Sequence, residues 1–530
     1  MTDLIKSILE LTDVQALQPD FVQIKRIPRE TAENSQVLIF QKTPEKIVHI
    51  LTTNTYPDAV KSITSQLDTH GEKYQIFYTS LEGFQEALKW YDQITQQELA
   101  QEMKQTQQQQ AEGQSAIDVL KNLYDKRASL DPGEFILQIV RYAFQSGASD
   151  LHFQPKGDKI ELRLRLDGIL HDILTFDLKD FLKYLQKLKF ISGVKMNIDY
   201  LPQDGRFSFE AVNPNKIQTK VDARVNFMPG LGMESTVIRF LDSTRQVSTF
   251  QDIGFSDENY EKLKPYLAKT TGLIVVAGPT GSGKTTTLYT MLNTLNTGET
   301  KIITLEDPIE YVMNGIQQSQ IDYSKGYDYE TGLHAVLRHD PDVILVGETR
   351  SLETADISIN ASLTGHLVFT TLHTNNAVAA INRLLSMEVK PYLLAPALQL
   401  VIGQRLVRKI CPHCGVKVQA SYAADADIQQ VLKTLSDLQY FKDKPTPSYD
   451  GQIIQATGCE QCNKTGYIGR IAILELLEIT QEIRKLIENG GADFEILGKA
   501  RENGFITMKE EGVLKVLNGM TTIEEVQRVV

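Results

Sequence analysis

Apolar positions along this chain follow two rhythms. Short, mainly apolar runs at 273–276, 302–305, 343–346 and 367–371 are strand-length and are separated by segments with helical spacing, which predicts a parallel sheet covered on both faces. Upstream the pattern switches to alternation: Ile160, Leu162 and Leu164 interleave with Glu161, Arg163 and Arg165, giving a strand with one apolar and one charged face. Helices over 135–144 and 181–190 and strands around 221–225 and 235–240 complete a sheet-plus-helix unit there. The first 95 residues carry a smaller α/β pattern: Leu4, Ile5, Ile8 and Leu9 at helical spacing, strands over 37–40 and 47–52, and a segment at 74–78 leading into a helix over 81–91. Residues 93–114, including Gln107 to Gln110, are Gln-rich and too poor in apolar area to build a core. The expected organisation is an N-terminal docking domain over 1–95, a helical or disordered linker over 96–128, a second α/β domain over 129–245, a motor over 246–410, a cysteine-bearing subdomain over 411–475 and a helical C-terminal segment over 476–530.

Composition narrows the function classes. A chain of 530 residues exceeds one core, and ordinary domain sizes suggest roughly three or four. The net charge is −12, so no global basic field argues for nucleic acid; Arg405, Arg408 and Lys409 are expected to form a local basic surface. No apolar run approaches the ~20 residues of a membrane span. Asp3, Lys6 and Glu10 stand where a signal peptide would be apolar. A soluble chain is expected, with any membrane contact made through partners.

The run at 273–276 opens into Gly278-Pro-Thr-Gly-Ser-Gly-Lys-Thr-Thr-Thr287, with every position of G-x-x-x-x-G-K-[ST] filled. Gly278, Gly281 and Gly283 allow the tight turn in which consecutive N–H groups face one phosphate, and the following helix offers its positive end to the same anion. Lys284 reaches the β- and γ-phosphates of ATP, and the Thr285 hydroxyl takes a place on Mg²⁺. Thr280, Ser282 and Thr286 complete the expected nucleotide contacts.

In a parallel sheet ligands sit at the strands' carboxyl ends. Glu306-Asp-Pro-Ile-Glu310 follows the second run and Gly347-Glu-Thr-Arg350 the third, so carboxylates flank the phosphate loop. One can activate the attacking water while another holds a water on Mg²⁺. His366 and His373 bracket the fourth run, either as structural residues or as sensors of the γ-phosphate. Arg206, Arg224 and Arg239 lie on a solvated strand face or point toward the nucleotide. Cys411-Pro-His-Cys414 and Cys459-Glu-Gln-Cys462 supply four thiolates, the set for a closed tetrahedral Zn²⁺ site; as redox pairs they would lack a surrounding βαβ unit.

On these residues the sequence resembles the GspE/PilB-type secretion-superfamily ATPases of type II secretion and type IV pilus assembly. The matching stretches include Ala148-Ser-Asp-Leu-His152, the phosphate loop, Ile303 to Glu310, Leu337 to Asp342, Leu363 to Val368, Thr371 to Asn375, Gln404-Arg-Leu-Val-Arg408, both cysteine pairs and Thr465 to Arg470. The resemblance implies a RecA-like motor preceded by a PAS-like domain, an ATP site between the two, and a homohexamer on the cytoplasmic face of the inner membrane that drives pilin-like subunits through a platform protein. It implies Glu306 as water-activating base, Glu348 in the Walker B position, His366 and His373 in a histidine box, and Arg206 and Arg224 as arginines aimed at the phosphates. Family carboxylates are replaced by Gln154 and Ser351. Other readings are a nucleotide-gated scaffold without turnover, a retraction or DNA-uptake motor of the same superfamily, and a nucleic-acid translocase.

Overall fold

The computed structural model describes residues 7–24, 26–27, 29–53, 57–69, 71–91, 116–213, 217–242, 249–438 and 447–530. Leu4, Ile5 and the Gln-rich stretch lie outside the described residues. The chain divides into two compact units, 1–112 and 113–530. No described helix is long and apolar enough to cross a membrane.

In the first unit, strands β1 (Ser7–Leu9), β2 (Val37–Lys42), β3 (Ile47–Thr52) and β4 (Lys73–Thr79) form a sheet in the order β1-β4-β3-β2. Ile8 and Leu9 are not helical: they pair with Tyr78 and Thr79 of β4. Two adjacent apolar residues fit either period, and here the open sheet edge decides. Val37, Leu38, Ile39 and Phe40 are all buried, so β2 is covered on both faces. Phe84 and Trp90, from a helix over residues 81–91, join Phe40 in that core.

The second unit opens with the helix Ala116–Asp125, which contributes Leu120 and Leu123 to the core that follows. Asp131 then caps the helix Pro132–Gln145 by accepting from the N–H groups of Gly133 and Glu134. Pro132 occupies the first turn, where a missing N–H costs no helical bond. This helix packs Phe135, Ile136, Ile139 and Val140 on an antiparallel sheet of β5 (Ala148–Lys156), β6 (Lys159–Leu166), β7 (Ile169–Asp177), β8 (Gln203–Val212), β9 (Gln218–Met228) and β10 (Ser235–Asp242), ordered β7-β6-β5-β10-β9-β8. Ile160, Leu162 and Leu164 are fully buried, as the alternation requires.

The polar face of this sheet carries a row that the register alone creates. Arg206, Arg224, Arg239, Asp150 and Arg165 stand directly opposite one another across β8, β9, β10, β5 and β6. Like charges facing across strands are unfavourable. Asp150, buried in the row, offsets the repulsion by pairing with Arg239 at 2.8 Å and Arg165 at 3.4 Å.

The motor sheet contains β11 (Gly272–Ala277), β12 (Ile302–Glu306), β13 (Gln317–Gln320), β14 (Val343–Val346), β15 (Leu367–Leu372) and β16 (Leu398–Ile410). An excursion with β17 (Gly415–Gln419), the helix Tyr422–Asp437 and β18 (Gln452–Ala456) precedes β19 (Tyr467–Glu478), which returns to the same sheet. The order is β13-β12-β14-β15-β11-β16-β19, with every pair parallel except β16 and β19. The C-terminal helices Gln481–Glu488 and Asp493–Glu502 bury Ile483, Ile487, Ile496 and Ala500 in the core of this parallel-sheet domain.

The long strand β16 corrects the expected basic surface at Arg405, Arg408 and Lys409. Arg408 is drawn in by β19 and the last helix, Ile523–Val529: its guanidinium lies 3.9 Å from the Tyr467 ring centroid and 2.8 Å from Glu525 Oε1. Arg405 donates to Asn375 Oδ1 at 3.0 Å. Only Lys409 of the three is exposed.

Glu525 also accepts from Arg528 and from the Arg408 backbone N–H. Burial opposes its ionisation, yet the Arg528 and Arg408 guanidinium groups outweigh burial and hold its pKa down at about 2. A depressed carboxyl contributes stability that is present above its unfolded value and lost as pH falls through the folded one. Glu525→Gln is therefore expected to destabilise the chain at pH 6, with the gap to wild type narrowing as pH falls from about 4.5 toward 2. Denaturant unfolding of both proteins at pH 6 and pH 3.5 measures it; an unchanged gap would contradict the pairing.

Candidate functional site

The phosphate loop spans 278–283 between β11 and the helix Lys284–Leu295. Gly283 adopts a left-handed φ of 86°, and a Cβ there would lie 2.9 Å from the Gln404 amide. A Cβ at Gly278 would meet the Gln404 carbonyl oxygen at 2.5 Å. Glycine is thus required by packing against β16 as well as by the turn. Lys284 Nζ donates to the carbonyls of Gly278 and Pro279 at 2.8 and 3.1 Å, and burial draws its pKa down to about 8. Thr280, Gly281, Thr285 and Thr286 are exposed along the loop and first turn, whereas Ser282 is buried.

The neighbouring strand tips are stitched together by short bonds. Gly278 N–H donates to the Leu372 carbonyl at 3.1 Å, Thr349 N–H to Thr371 O at 3.0 Å, and Gly347 N–H to Leu305 O at 2.8 Å. The Thr371 hydroxyl donates to Gly347 O at 2.7 Å. Glu348 is thereby fixed at the tip of β14, where its Oε2 meets Arg350 Nε at 2.7 Å and His373 Nε2 at 3.4 Å. Lys284 feels the Glu348 charge. Burial, reinforced by the Lys284 charge, lowers the His373 pKa, so the ring is neutral near pH 7.

Glu306 ends β12 and is buried. Its Oε1 accepts from Thr304 Oγ1 at 2.6 Å and Gln318 Nε2 at 3.1 Å, and its Oε2 from the Tyr289 hydroxyl. A carboxylate offers about four acceptor positions, so three protein donors leave room for one more.

His366 does not join this group. It precedes β15 and bonds through Nδ1 to Ala361 O at 3.0 Å, while its carbonyl accepts from Gly272 N–H at the start of β11. Because β15 is extended throughout, its two flanking histidines stand about 23 Å apart at 3.3 Å per residue. Among the described residues, no hydrogen bond or ion pair joins Arg206, Arg224 or Arg239 to the loop. The sheet that carries them touches the motor side through Asp167 Oδ2, which accepts from Gly469 N–H at 2.9 Å.

Tyr289 and Gln318 leave no motif signal in the sequence, whereas Gln404 opens the Gln404-to-Arg408 stretch that carries part of the family resemblance.

The four cysteines converge between β16 and β19. All four sulfurs lie within 4.8 Å of one another, with Cys411–Cys459 and Cys414–Cys462 at 3.8 Å and Cys459–Cys462 at 3.7 Å. A tetrahedron with Zn–S bonds of about 2.3 Å has edges of about 3.8 Å, which three of the sulfur pairs already match, so the set fits zinc. N–H groups of Cys459 and Gly466 point at Cys462 Sγ from 3.1 and 3.2 Å, which suits a thiolate.

A phosphate loop at the tip of a central parallel strand, with carboxylates on two further tips, defines a RecA-like P-loop nucleotide-binding protein. The chain belongs to the Type II/IV secretion system protein family, which matches residues 129–528. It is similar to the type IV pilus assembly ATPase PilB of Pseudomonas aeruginosa, at 38% identity over 395 residues, 74% of this chain and 67% of that protein. Type II secretion system protein E of the same organism is 38% identical over 391 residues, 74% of each chain. PilB of Thermus thermophilus is 37% identical over 393 residues, and the match spans only 42% of that protein. Among solved structures, the pilus retraction motor PilT with bound ADP aligns at TM-score 0.50 and 26% identity, covering 74% of this chain and 96% of PilT. DotB of Yersinia pseudotuberculosis aligns at TM-score 0.54 and 19% identity, covering 76% and 94%, and shows the same fold.

The full chain is expected to carry one zinc per molecule. Cys462→Ser should release it and expose 411–466 to protease, measured by elemental analysis and limited digestion. Metal-free wild type whose four thiols all react freely would overturn the zinc assignment.

Proposed function

We propose that this protein is an ATP-hydrolysing motor that works as a homohexamer on the cytoplasmic face of the inner membrane, driving pilin-like subunits of a type IV pilus or type II secretion pseudopilus through a membrane platform protein. The observation that carries the reading is the convergence of Lys284, Glu348 and His373 on the tips of adjacent strands beside a complete phosphate loop. The names and identities of the pilus and secretion relatives support the transport role.

ATP binds with its phosphates over the loop N–H groups and the start of the helix Lys284–Leu295. Thr285, with Glu348 alongside, would hold Mg²⁺, which would supply charge neutralisation on the phosphates. Lys284 leaves its loop carbonyls for the phosphates. Glu306, with three of its acceptor positions filled by protein donors, orients and deprotonates the attacking water with the one that is left. His373, neutral and set against Glu348, reports the state of the γ-phosphate to the loop that follows it. Arg206 and Arg224 close over the nucleotide as the antiparallel sheet shifts toward the motor, and release of phosphate reverses the shift. The hydrogen-bonded state of Glu306 also fits a second reading, a nucleotide-gated scaffold in which that carboxylate is purely structural.

Phosphate release by the assembled ring separates the two. For the motor, Glu306→Gln lowers turnover by roughly 10²- to 10⁴-fold, the usual worth of a general base, and Arg206→Ala lowers it by roughly 10³-fold while MgATP affinity changes little. Background rates in wild type and Glu306→Gln alike would leave the scaffold.

A further inference from the structure

Gln404 sits on β16, opposite the phosphate loop, and is 1% exposed. Both ends of its amide are used: Nε2 donates to the Ser282 carbonyl at 2.8 Å, and Oε1 accepts from the Thr287 hydroxyl at 2.7 Å. Thr287 is itself fully buried in the helix that follows the loop. Thr287 therefore fixes which way the amide is turned, and the amide fixes where the Ser282 carbonyl points.

The consequence follows from peptide geometry. The Ser282–Gly283 bond is trans, and in a planar trans peptide the carbonyl and the next N–H point in opposite directions. A Ser282 carbonyl held toward β16 turns the Gly283 N–H away from β16, into the mouth of the loop. The buried Ser282 hydroxyl, in the same turn, has no partner among the described residues. Gly283 is the last residue before Lys284, and its N–H belongs to the set that cradles a bound phosphate in loops of this kind.

We infer that Gln404 is a positioning residue of the nucleotide site: by anchoring the Ser282 carbonyl it aims the Gly283 N–H at the phosphates of ATP and ADP. The inference rests on the nucleotide-binding part of the proposed function. It touches no reacting atom, so its effect belongs in affinity. Uniform binding of ground and transition states appears in KM and Kd, with kcat falling less.

The test uses the full chain and the volume-conserving Gln404→Met, with Gln404→Glu as the second variant should the first not fold. Gln404→Glu keeps the acceptor for Thr287 and loses the donor to Ser282. Equilibrium titration with MgADP and MgATP is expected to show binding weakened at least about tenfold in either variant. Losing a hydrogen bond to a charged group is worth about 1.5–3 kcal/mol, or roughly 10- to 100-fold. KM should rise in parallel, more than kcat falls. Thr287→Ser, which retains the hydroxyl, should bind like wild type, whereas Thr287→Val should fall between wild type and Gln404→Met. A purely structural glutamine would lower the unfolding temperature and the active fraction, reducing kcat at constant KM. Dissociation constants within threefold of wild type in the Gln404 variants would overturn the inference alone. Wild type that binds neither nucleotide would overturn the nucleotide-site reading and this inference with it.

Discussion

A phosphate loop is backbone held in a shape that it would not keep by itself, because its N–H groups must converge on an anion while its carbonyls face elsewhere. In this chain the shape is imposed from two sides. Gly278 N–H is bound to the tip of β15 through Leu372, and Ser282 O is bound to β16 through Gln404. A Cβ at Gly278 or Gly283 would collide with Gln404 itself, so the glycines and the glutamine form one packing unit. The strands carrying these clamps flank β11 on either side in the sheet. The order β15-β11-β16 is thus what makes the site possible.

What the chain disclosed before folding and what it withheld divide along the distance over which information acts. The loop, its helix and four of the five parallel strands before β16 were legible because each is a short apolar run and the glycine turn and lysine follow the first of them directly; β13, all polar, carried no such signal. The cysteine site was legible for a related reason: each pair is local, and only the joining of the two pairs is long-range. Strands β16 and β19 were missed because their pairing joins Leu400 to Glu478 across an excursion, and nothing local marks the partner. With the strands went the fate of Arg408, which reads as a surface charge until Tyr467 and Glu525 are brought to it. His366 and His373 flank β15 as their spacing implies, and the extended strand sends them to opposite ends of the sheet. Alternation located Arg163 and Arg165 on a polar face, but the row from Arg206 to Arg165 exists only in the register of five strands.

The acidic residues divide by the donors around them. Glu306 and Glu348 end neighbouring strands of one sheet, yet Glu306 is held by three neutral donors and Glu348 by a guanidinium and an imidazole. Neutral donors fix a carboxylate in place without cancelling its charge. A guanidinium orients the group and balances its charge as well, while the neutral imidazole of His373 adds a polar contact only. The difference comes from β13 and the phosphate-loop helix, which supply Gln318 and Tyr289 to one tip only.

A third acid, Glu475 of β19, explains how the site is tied to the rest of the second unit. It is buried opposite Gly403 of β16, where any Cβ would strike its side chain. Its Oε1 accepts from Ala377 N–H and its Oε2 from Met508 N–H, the first residues of the helices Ala377–Ser386 and Met508–Leu517. Burial pushes its pKa up, and the two N–H groups act against that rise. One carboxylate thus satisfies the exposed amino ends of two helices, each of which favours negative charge. The first helix begins four residues after His373, and Arg405 holds Asn375 between them. The loop beside Glu348 and the helix Met508–Leu517 therefore hang on β16 and β19 through Asn375 and Glu475. Displacing that loop without moving this helix would leave a buried carboxylate short of a donor, which is costly in a dry interior. Rigid coupling between the loop and the helix Met508–Leu517 is the cheaper arrangement.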